Sequence, residues 1–406
     1  MKTKSPQRSR DRHAWLTARR NKKMARSPHA YMRGNTTKFY EWLDDGLGLG
    51  VGVGPPIWIC GDCHFGNLGP VADAKGNVAL QIRDLDQAVI GNPSHDLIRL
   101  ALSLATIARS SSLPGITTAR MFEALTQGYV KGLLSREAVD SATVPTIHGL
   151  VKQAIHRRCG DLLKERIENK EPSIPRGKRF WSLSRTDAHD LDTLVSSSDI
   201  ADVVRSLVAR SNDASVKVAD AAFWVKGCSS LGLTRYAALL TIGNGKVGEN
   251  GLCLLDLKEA TRSCAPVVAR ASMPRDHGRR VVTAARALSP SLGDRMTSGA
   301  LGTRSMFMRE LLPQDLKIDI LKLSMDEATA AAGLLASVVG EAHGRQMEPK
   351  LAREWARTLR ASERKSLAAP SWLWTTVVGL LGLHETEYLA HCRAYAKQQT
   401  RYHGEP

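Results

Sequence analysis

Long apolar runs are absent from this chain. A helix that crosses a bilayer takes roughly 18–20 consecutive apolar residues, whereas the stretch Trp372–Leu383 spans 12 and reads as a packed helix. No apolar segment of signal-peptide type follows the basic N-terminus, so the expected location is the cytoplasm, with no membrane partner. Cysteine is scarce and unpatterned: seven residues, an odd number without framework spacing, fit a reducing compartment. Cys60 and Cys63 form a CxxC with His64 beside it. No second CxxC or HxxxH supplies the remaining ligands of a zinc site, and a redox pair is the other reading. Acidic residues are nearly missing from the start, where the first 33 positions carry 11 Lys or Arg against Asp11 alone, giving +10 of the chain's +17. What is present is length and apolar content: 406 residues at 43% hydrophobic can bury two modest cores and suit two or three domains.

The segment Ile57 to Asp86, IWICGDCHFGNLGPVADAKGNVALQIRDLD, carries the most chemistry. Ile57, Trp58 and Ile59 read as a short buried strand, and Gly61 allows a sharp turn. Leu68–Ala72 and Val78–Ile82 are two further strands, joined by Asp73, Ala74, Lys75, Gly76 and Asn77, which have turn chemistry. The resulting hairpin brings Asn67, at its entrance, beside Asp84, at its exit. Phosphoryl transfer from a nucleotide needs a carboxylate to orient or deprotonate the acceptor, and an amide oxygen with a second carboxylate to hold magnesium. Asp62, Asn67 and Asp84 supply those types at the kinase spacing. Taken singly, each is also an ordinary turn or cap residue.

CGDCHFGN resembles the GDxHxxN catalytic loop of aminoglycoside and choline phosphotransferases, which share the protein-kinase-like fold. RDLDQA resembles their metal-binding strand end, and GNPSHDLIRLA their GDPxxDLA segment. The resemblance implies that Asp62 is the catalytic base, Asn67 a magnesium ligand, Asp84 the main magnesium carboxylate and Asp86 an auxiliary ligand, with Asp96 bracing the loop from the next helix. It also departs from the pattern, because Cys60 stands where that group usually has His. His64 either shapes the loop or acts in catalysis.

No nucleotide lobe fits in the 56 residues before Ile57. Its parts lie downstream, in Phe223–Ala260. Gly227 and Gly232 bound a small-residue turn containing Ser229 and Ser230, Tyr236–Ile242 is a strand, Gly243–Gly251 a connection, and Leu252–Leu257 a strand that delivers Lys258 and Glu259. Backbone amides of such a turn cover phosphates, while the strand Lys neutralises phosphate oxygens. His277–Leu288 reads as a helix, Ser305–Leu311 as a strand running into a hinge-like Leu-Leu-Pro, and Glu327–His343 as the helix that leads into the catalytic loop. The expected fold is therefore α+β and kinase-like, circularly permuted: a basic, flexible arm over 1–26, a mostly helical catalytic lobe over 27–220, a nucleotide-binding β lobe over 221–315, and returning helices over 316–406. Two features depart from the kinase pattern. Ser229 replaces the second Gly of the turn, and no acid lies within His277–Leu288, where Thr283 holds the position of the usual Lys partner, so Lys258 pairs either with Asp84 or with phosphates alone. Together KMARSPHAYMRG, GDCHFGN, the DLD segment, GCSSLG and LLDLKEA resemble the domain of unknown function 2252 family over roughly Lys22–Met347, a family that lends no substrate.

Helical periodicity marks Leu97–Arg109, Thr117–Leu134 and Ile147–Ile167, and Glu171–Trp181 reads as a substrate-facing loop. Arg33 is either an anion-binding residue or an ion-pair partner for Asp96 or another carboxylate. The basic arm either attracts nucleic acid or another polyanion, with Trp15 its sole stacking surface, or forms a helix over Arg12–Met24 on the catalytic half. The expected activity is ATP- and Mg2+-dependent phosphoryl transfer to a small-molecule acceptor. A kinase-like module that binds nucleotide or nucleic acid without transfer, and nucleotidyl transfer from the same site, are the alternatives.

Overall fold

The strands of the Ile57–Asp86 segment form with the expected bounds because apolar positions and turn residues agree. In the computed structural model, which describes residues 9–403 apart from 112, 136–139, 158–172, 207–209, 211–212, 229, 244–250, 269–271, 317–322, 362 and 365–366, the chain is a mixed α+β protein. Ser9–Met24 (α1), Pro28–Gly34 (α2) and Thr36–Trp42 (α3) open it. Ile57–Ile59 (β1), Leu68–Ala72 (β2), Val78–Ile82 (β3) and Val89–Gly91 (β4) follow; β2 pairs antiparallel with β3, Leu68 opposite Ile82, and β1 with β4. Next come Pro93–Ser110 (α4), Gly115–Ser135 (α5) and Pro145–His156 (α6). The rest of the helix expected over Ile147–Ile167 falls mostly outside the described residues. Helix α4 starts where Asn92 caps Ser94 N and Pro93 takes the first turn, and apolar residues cover almost its whole circumference, so it runs through the larger core.

The second half begins with Phe180–Trp181 (β5), Arg185–Val195 (α7) and Ser198–Arg205 (α8). Val216–Trp224 (β6), Arg235–Ile242 (β7) and Leu252–Glu259 (β8) follow, then His277–Leu288 (α9), Pro290–Gly293 (α10), Met296–Leu301 (β9) and Arg304–Glu310 (β10). These strands make one six-stranded antiparallel sheet in the order β5-β6-β7-β8-β10-β9. Met325–Gly344 (α11), Pro349–Ala361 (α12), the short pair Glu363–Arg364 (β11) and Leu367–Pro370 (β12), and Ser371–His403 (α13) complete the chain. Among the described residues no helix is long and apolar enough to cross a membrane.

Alternation along the sheet decides what each face does. Tyr236, Ala238, Leu240, Cys253, Leu255, Leu257, Met306 and Met308 share one face, which buries against α1, α7 and α8. The other face is apolar at one end, with Leu239, Leu252 and Leu254, and charged at the other, with Arg235, Asp256, Lys258 and Arg309. Asp256 is buried between these cations: Arg235 Nε reaches its Oδ1 at 2.6 Å and Arg309 Nε lies 3.7 Å from Oδ2. Burial pushes the Asp256 carboxyl up, but Arg235 and then Lys226 pull harder and hold it well below the usual carboxylate range.

Two expectations need correction. Trp181 ends the stretch assigned to a substrate-facing loop, yet Phe180–Trp181 is an edge strand. It joins the sheet because Phe180 stacks on Trp224 with centroids 5.4 Å apart and Trp181 on Phe223 at 5.5 Å, so the sheet reaches beyond the boundary at 221. Residues 9–24 of the arm expected to be flexible form α1. Leu16 is buried in the sheet-side core and Trp15 meets Trp181 edge-on at 4.8 Å, so this helix rests on the sheet as well as on α2.

Helices α5 and α11 approach so closely that only glycine fits along their seam. A Cβ on Gly132 would collide with the Ser337 carbonyl oxygen, one on Gly128 with that of Gly333, and one on Gly340 with that of Tyr129. Gly132→Val should therefore cost about 3 kcal/mol through overpacking, whereas Gly149→Ala on exposed α6, where nothing lies within 4 Å, should gain up to about 1 kcal/mol of helix propensity. Urea unfolding of both variants checks this, and equal effects would remove the seam. Asp256→Asn should cost about 3–5 kcal/mol at pH 7, because Arg235 keeps its buried charge without a partner. Since the folded carboxyl is depressed, its stabilisation is complete above the unfolded value of about 3.9 and is lost as pH falls below it. The variant's stability should consequently fall less steeply than the wild type's between about pH 4 and pH 2.

Candidate functional site

The loop after β1 is fixed from below by α4. Gly61 takes φ +71, and a side chain there would strike the Gln87 carbonyl oxygen, so the turn requires glycine. Asp96, buried in the first turn of α4, accepts Cys60 N at 2.7 Å and Gly61 N at 2.9 Å. A buried chain of bonds continues from it. His343 Nε2 of α11 lies 3.2 Å from Asp96 Oδ2, His343 Nδ1 lies 3.0 Å from Tyr129 Oη, and Trp355 Nε1 donates to that hydroxyl at 3.1 Å. Every polar atom is satisfied when Nε2 carries the proton and Nδ1 accepts from Tyr129. Arg33 does not pair with Asp96, whose oxygens are already taken. Cys60, Cys63 and Asp96 come within 4.8 Å of one another, but the same committed oxygens leave no carboxylate to complete a metal site. A hydrogen bond with Cys63, and then burial, push the Cys60 thiol up, away from the reactive thiolate.

Asp62 follows Gly61 and is buried. Arg99, one helical turn beyond Asp96, donates from Nε to Asp62 Oδ1 at 2.9 Å and from Nη2 to Met32 O at 2.8 Å. Burial raises the Asp62 carboxyl, against the pull of Arg99. Asn67 donates from Nδ2 to Asp62 O at 3.0 Å, which leaves its amide oxygen as an acceptor. His64 accepts Gly66 N on Nδ1 at 3.1 Å, a bond that shapes the loop, and its Nε2 lies 4.0 Å from Asp62 Oδ2.

The β2–β3 hairpin carries Asp84 to the same place, because Arg83 N donates to Asn67 O at 2.7 Å. Lys258 of β8 arrives from the sheet, 3.4 Å from Asp84 Oδ1 and in a close ion pair with Asp86. The residues that the sequence placed 174 positions apart thus meet. Partial desolvation raises Asp84, but Lys258 and Arg309 overcome it and hold the carboxyl below its usual range. Asp86 is pushed upward, by burial and by the negative charge of Asp84. Asp84 keeps 49% of its side chain accessible, while Asp86 Oδ1 is buried without a hydrogen-bond partner. A buried carboxylate oxygen in that state fits a cation site. No acid of α9 takes part. Instead Arg280 of α9 donates to Asp86 O at 2.9 Å, to Thr261 O at 3.0 Å and to Ala88 O, tying the helix to the backbone of the DLD segment.

The glycine turn between β6 and β7 lies against the N-terminal helices. Gly227 has φ +100 and Gly232 φ +119, and Ser230 is buried; Ser229 lies outside the described residues. Lys23 Nζ donates to Gly227 O at 2.7 Å, and Cys228 Sγ to Ala30 O at 3.7 Å. Beside the turn is a cavity of about 690 Å³, reaching Leu311 and Leu312 at the end of β10 and lined by nine Arg or Lys side chains and one carboxylate, Asp315. Arg33 is one of the nine, and its Nε is buried without a partner.

Sequence reasoning missed Arg99, Arg280, His343 and the Arg235–Asp256 pair. A signal existed for Arg99, the lone cation between Ile98 and Leu100 in a helix apolar on nearly all sides, since buried Arg is rare unless paired.

The family described as uncharacterized protein conserved in bacteria (DUF2252) matches residues 12–394. No curated protein and no solved structure matches. With that match spanning nearly its whole length, the chain belongs to the DUF2252 family.

Proposed function

We propose that this protein is an ATP- and magnesium-dependent phosphotransferase of circularly permuted, kinase-like architecture, acting on a small-molecule acceptor. The observation that carries the reading is the meeting of Lys258 with Asp84 and Asp86 beside the loop of Asp62 and Asn67. The order of parts supports it too: a glycine turn, the Lys strand, helix α9, two more strands and the Leu311-Leu312-Pro313 connection follow the kinase nucleotide lobe, placed after the catalytic half instead of before it.

In this reading Gly227, Ser230 and Gly232 border the nucleotide phosphates, and Lys258 turns from the carboxylates toward them. Asn67, Asp84 and Asp86 would hold magnesium, which when bound neutralises phosphate charge. Asp62 orients the acceptor hydroxyl and takes its proton as the oxygen bonds to the γ-phosphorus and the bond to the ADP leaving group breaks. Arg99 fixes the carboxylate for that step. Asp96 and His343 hold the loop that carries it.

A second reading, binding of nucleotide or nucleic acid without transfer, is favoured by the burial of Asp62 under the Arg99 ion pair. Two variants separate them. Asp62→Ala should lower ATP turnover about 10²–10⁴-fold while leaving ATP affinity in place; full turnover would remove the assigned base. Asp84→Asn should abolish the magnesium dependence of ATP binding in calorimetry, and a variant that still bound MgATP as tightly as wild type would count against the metal site.

A further inference from the structure

The cavity beside the glycine turn holds more positive charge than the proposed nucleotide calls for. Several of its cations are already engaged. Lys226 and Arg309 face Asp256, Arg83 donates to the carbonyls of Asp315 and Leu316, and Lys23 fixes Gly227 O. The remainder includes a wall made by Arg19 of α1, Arg26 just beyond the end of that helix, Arg33 of α2, and Arg179. Among the described residues no carboxylate pairs with these four, and the Nε atoms of Arg19 and Arg33 are buried without partners. The like charges act on each other: burial, then Arg26 and Arg179, hold Arg19 below its ordinary value.

Such a wall is unfavourable by itself and favourable with an anion, and guanidinium forks match phosphate oxygens two at a time. Its far end stands at the catalytic loop, where the Arg33 guanidinium carbon lies 3.7 Å from the position of a Cβ on Gly66. The shape favours a small ligand, since about 690 Å³ is the size of a small-molecule site. Base stacking is disfavoured: Trp224 is covered by Lys226 at 3.9 Å and Arg235 at 5.2 Å, and Trp15 is engaged by Trp181 and Arg19.

Building on the phosphotransferase reading, we propose that the acceptor is a phosphate-bearing small molecule, its phosphate held by Arg19, Arg26 and Arg33 while its hydroxyl faces Asp62. Calorimetry on the full-length protein with inorganic pyrophosphate as probe, in saturating MgADP, tests this. Arg19→Gln/Arg26→Gln, and separately Arg33→Gln, should weaken pyrophosphate about tenfold or more while MgADP affinity stays within about twofold. Unchanged pyrophosphate affinity in both variants would overturn the proposal. A parallel loss of MgADP affinity would too, because the wall would then serve the nucleotide. The same holds if a short single-stranded DNA outcompetes pyrophosphate and depends on the same arginines, which would make the wall a nucleic-acid contact. Asp84→Asn checks the underlying reading separately: it should weaken MgADP and spare pyrophosphate. If MgADP binding survives that change intact, the phosphotransferase reading fails and the acceptor assignment falls with it, even where arginine-dependent pyrophosphate binding persists.

Discussion

The ion pairs of Lys258 with Asp84 and Asp86 are the constraint on which the two halves of the molecule depend. Burying the Lys258 ammonium is costly, and the cost is offset only when its carboxylate partners are held in place from the other side. On the sheet side the antiparallel register sets Lys258 opposite Arg235 on one neighbour and Phe307 on the other. On the hairpin side the Arg83 amide bonds Asn67 O, and Arg280 grips the backbone carbonyls of Asp86 and Ala88. Either half alone would leave an uncompensated charge in place of a partner. The apolar end of the same sheet face supplies burial, and its charged end supplies specificity of docking.

The parts of this arrangement that were legible in the sequence are those set by local rules. The β2–β3 hairpin is written in turn chemistry between two apolar runs, and Lys258 stands near the end of an apolar strand. Gly61 announced its turn because only glycine takes its φ cheaply. What escaped reading is decided across space. His343 lies 247 positions from Asp96 and sits in an Ala-rich helix whose pattern says only that it is buried. Arg280 resembles any arginine of an amphipathic helix until its three carbonyl partners are known. The sequence leaves a flexible basic arm and a helix over Arg12–Met24 both open, because eleven polar residues of α1 surround Leu16 and Trp15, whose anchorage is an aromatic edge strand distant in sequence.

One substitution of parts explains several of these departures together. The phosphotransferases whose loop the Cys60–Asn67 segment resembles usually have His before the Gly-Asp pair, where this chain has Cys60. An imidazole is nevertheless present at the bracing carboxylate, delivered by α11 through a hydrogen-bond chain that runs on to Tyr129 and Trp355. The loop amides, Asp96 and three helices are therefore one buried network, which resists piecemeal change because each lost partner strands the next polar group.

The missing acid on α9 follows the same logic. On the proposed reading, a kinase Lys would rely on a glutamate of that helix, whereas Lys258 pairs with Asp86, two residues from Asp84, so its orientation is tied to these two carboxylates and not to the helix. Helix α9 is held instead by Arg280 on backbone carbonyls, contacts that do not depend on a titrating or movable carboxylate. On the proposed reading, swinging α9 would not switch Lys258 on or off. Charge placed near Asp84 and Asp86 would, because a cation taken up by those carboxylates competes directly with the lysine for the same oxygens.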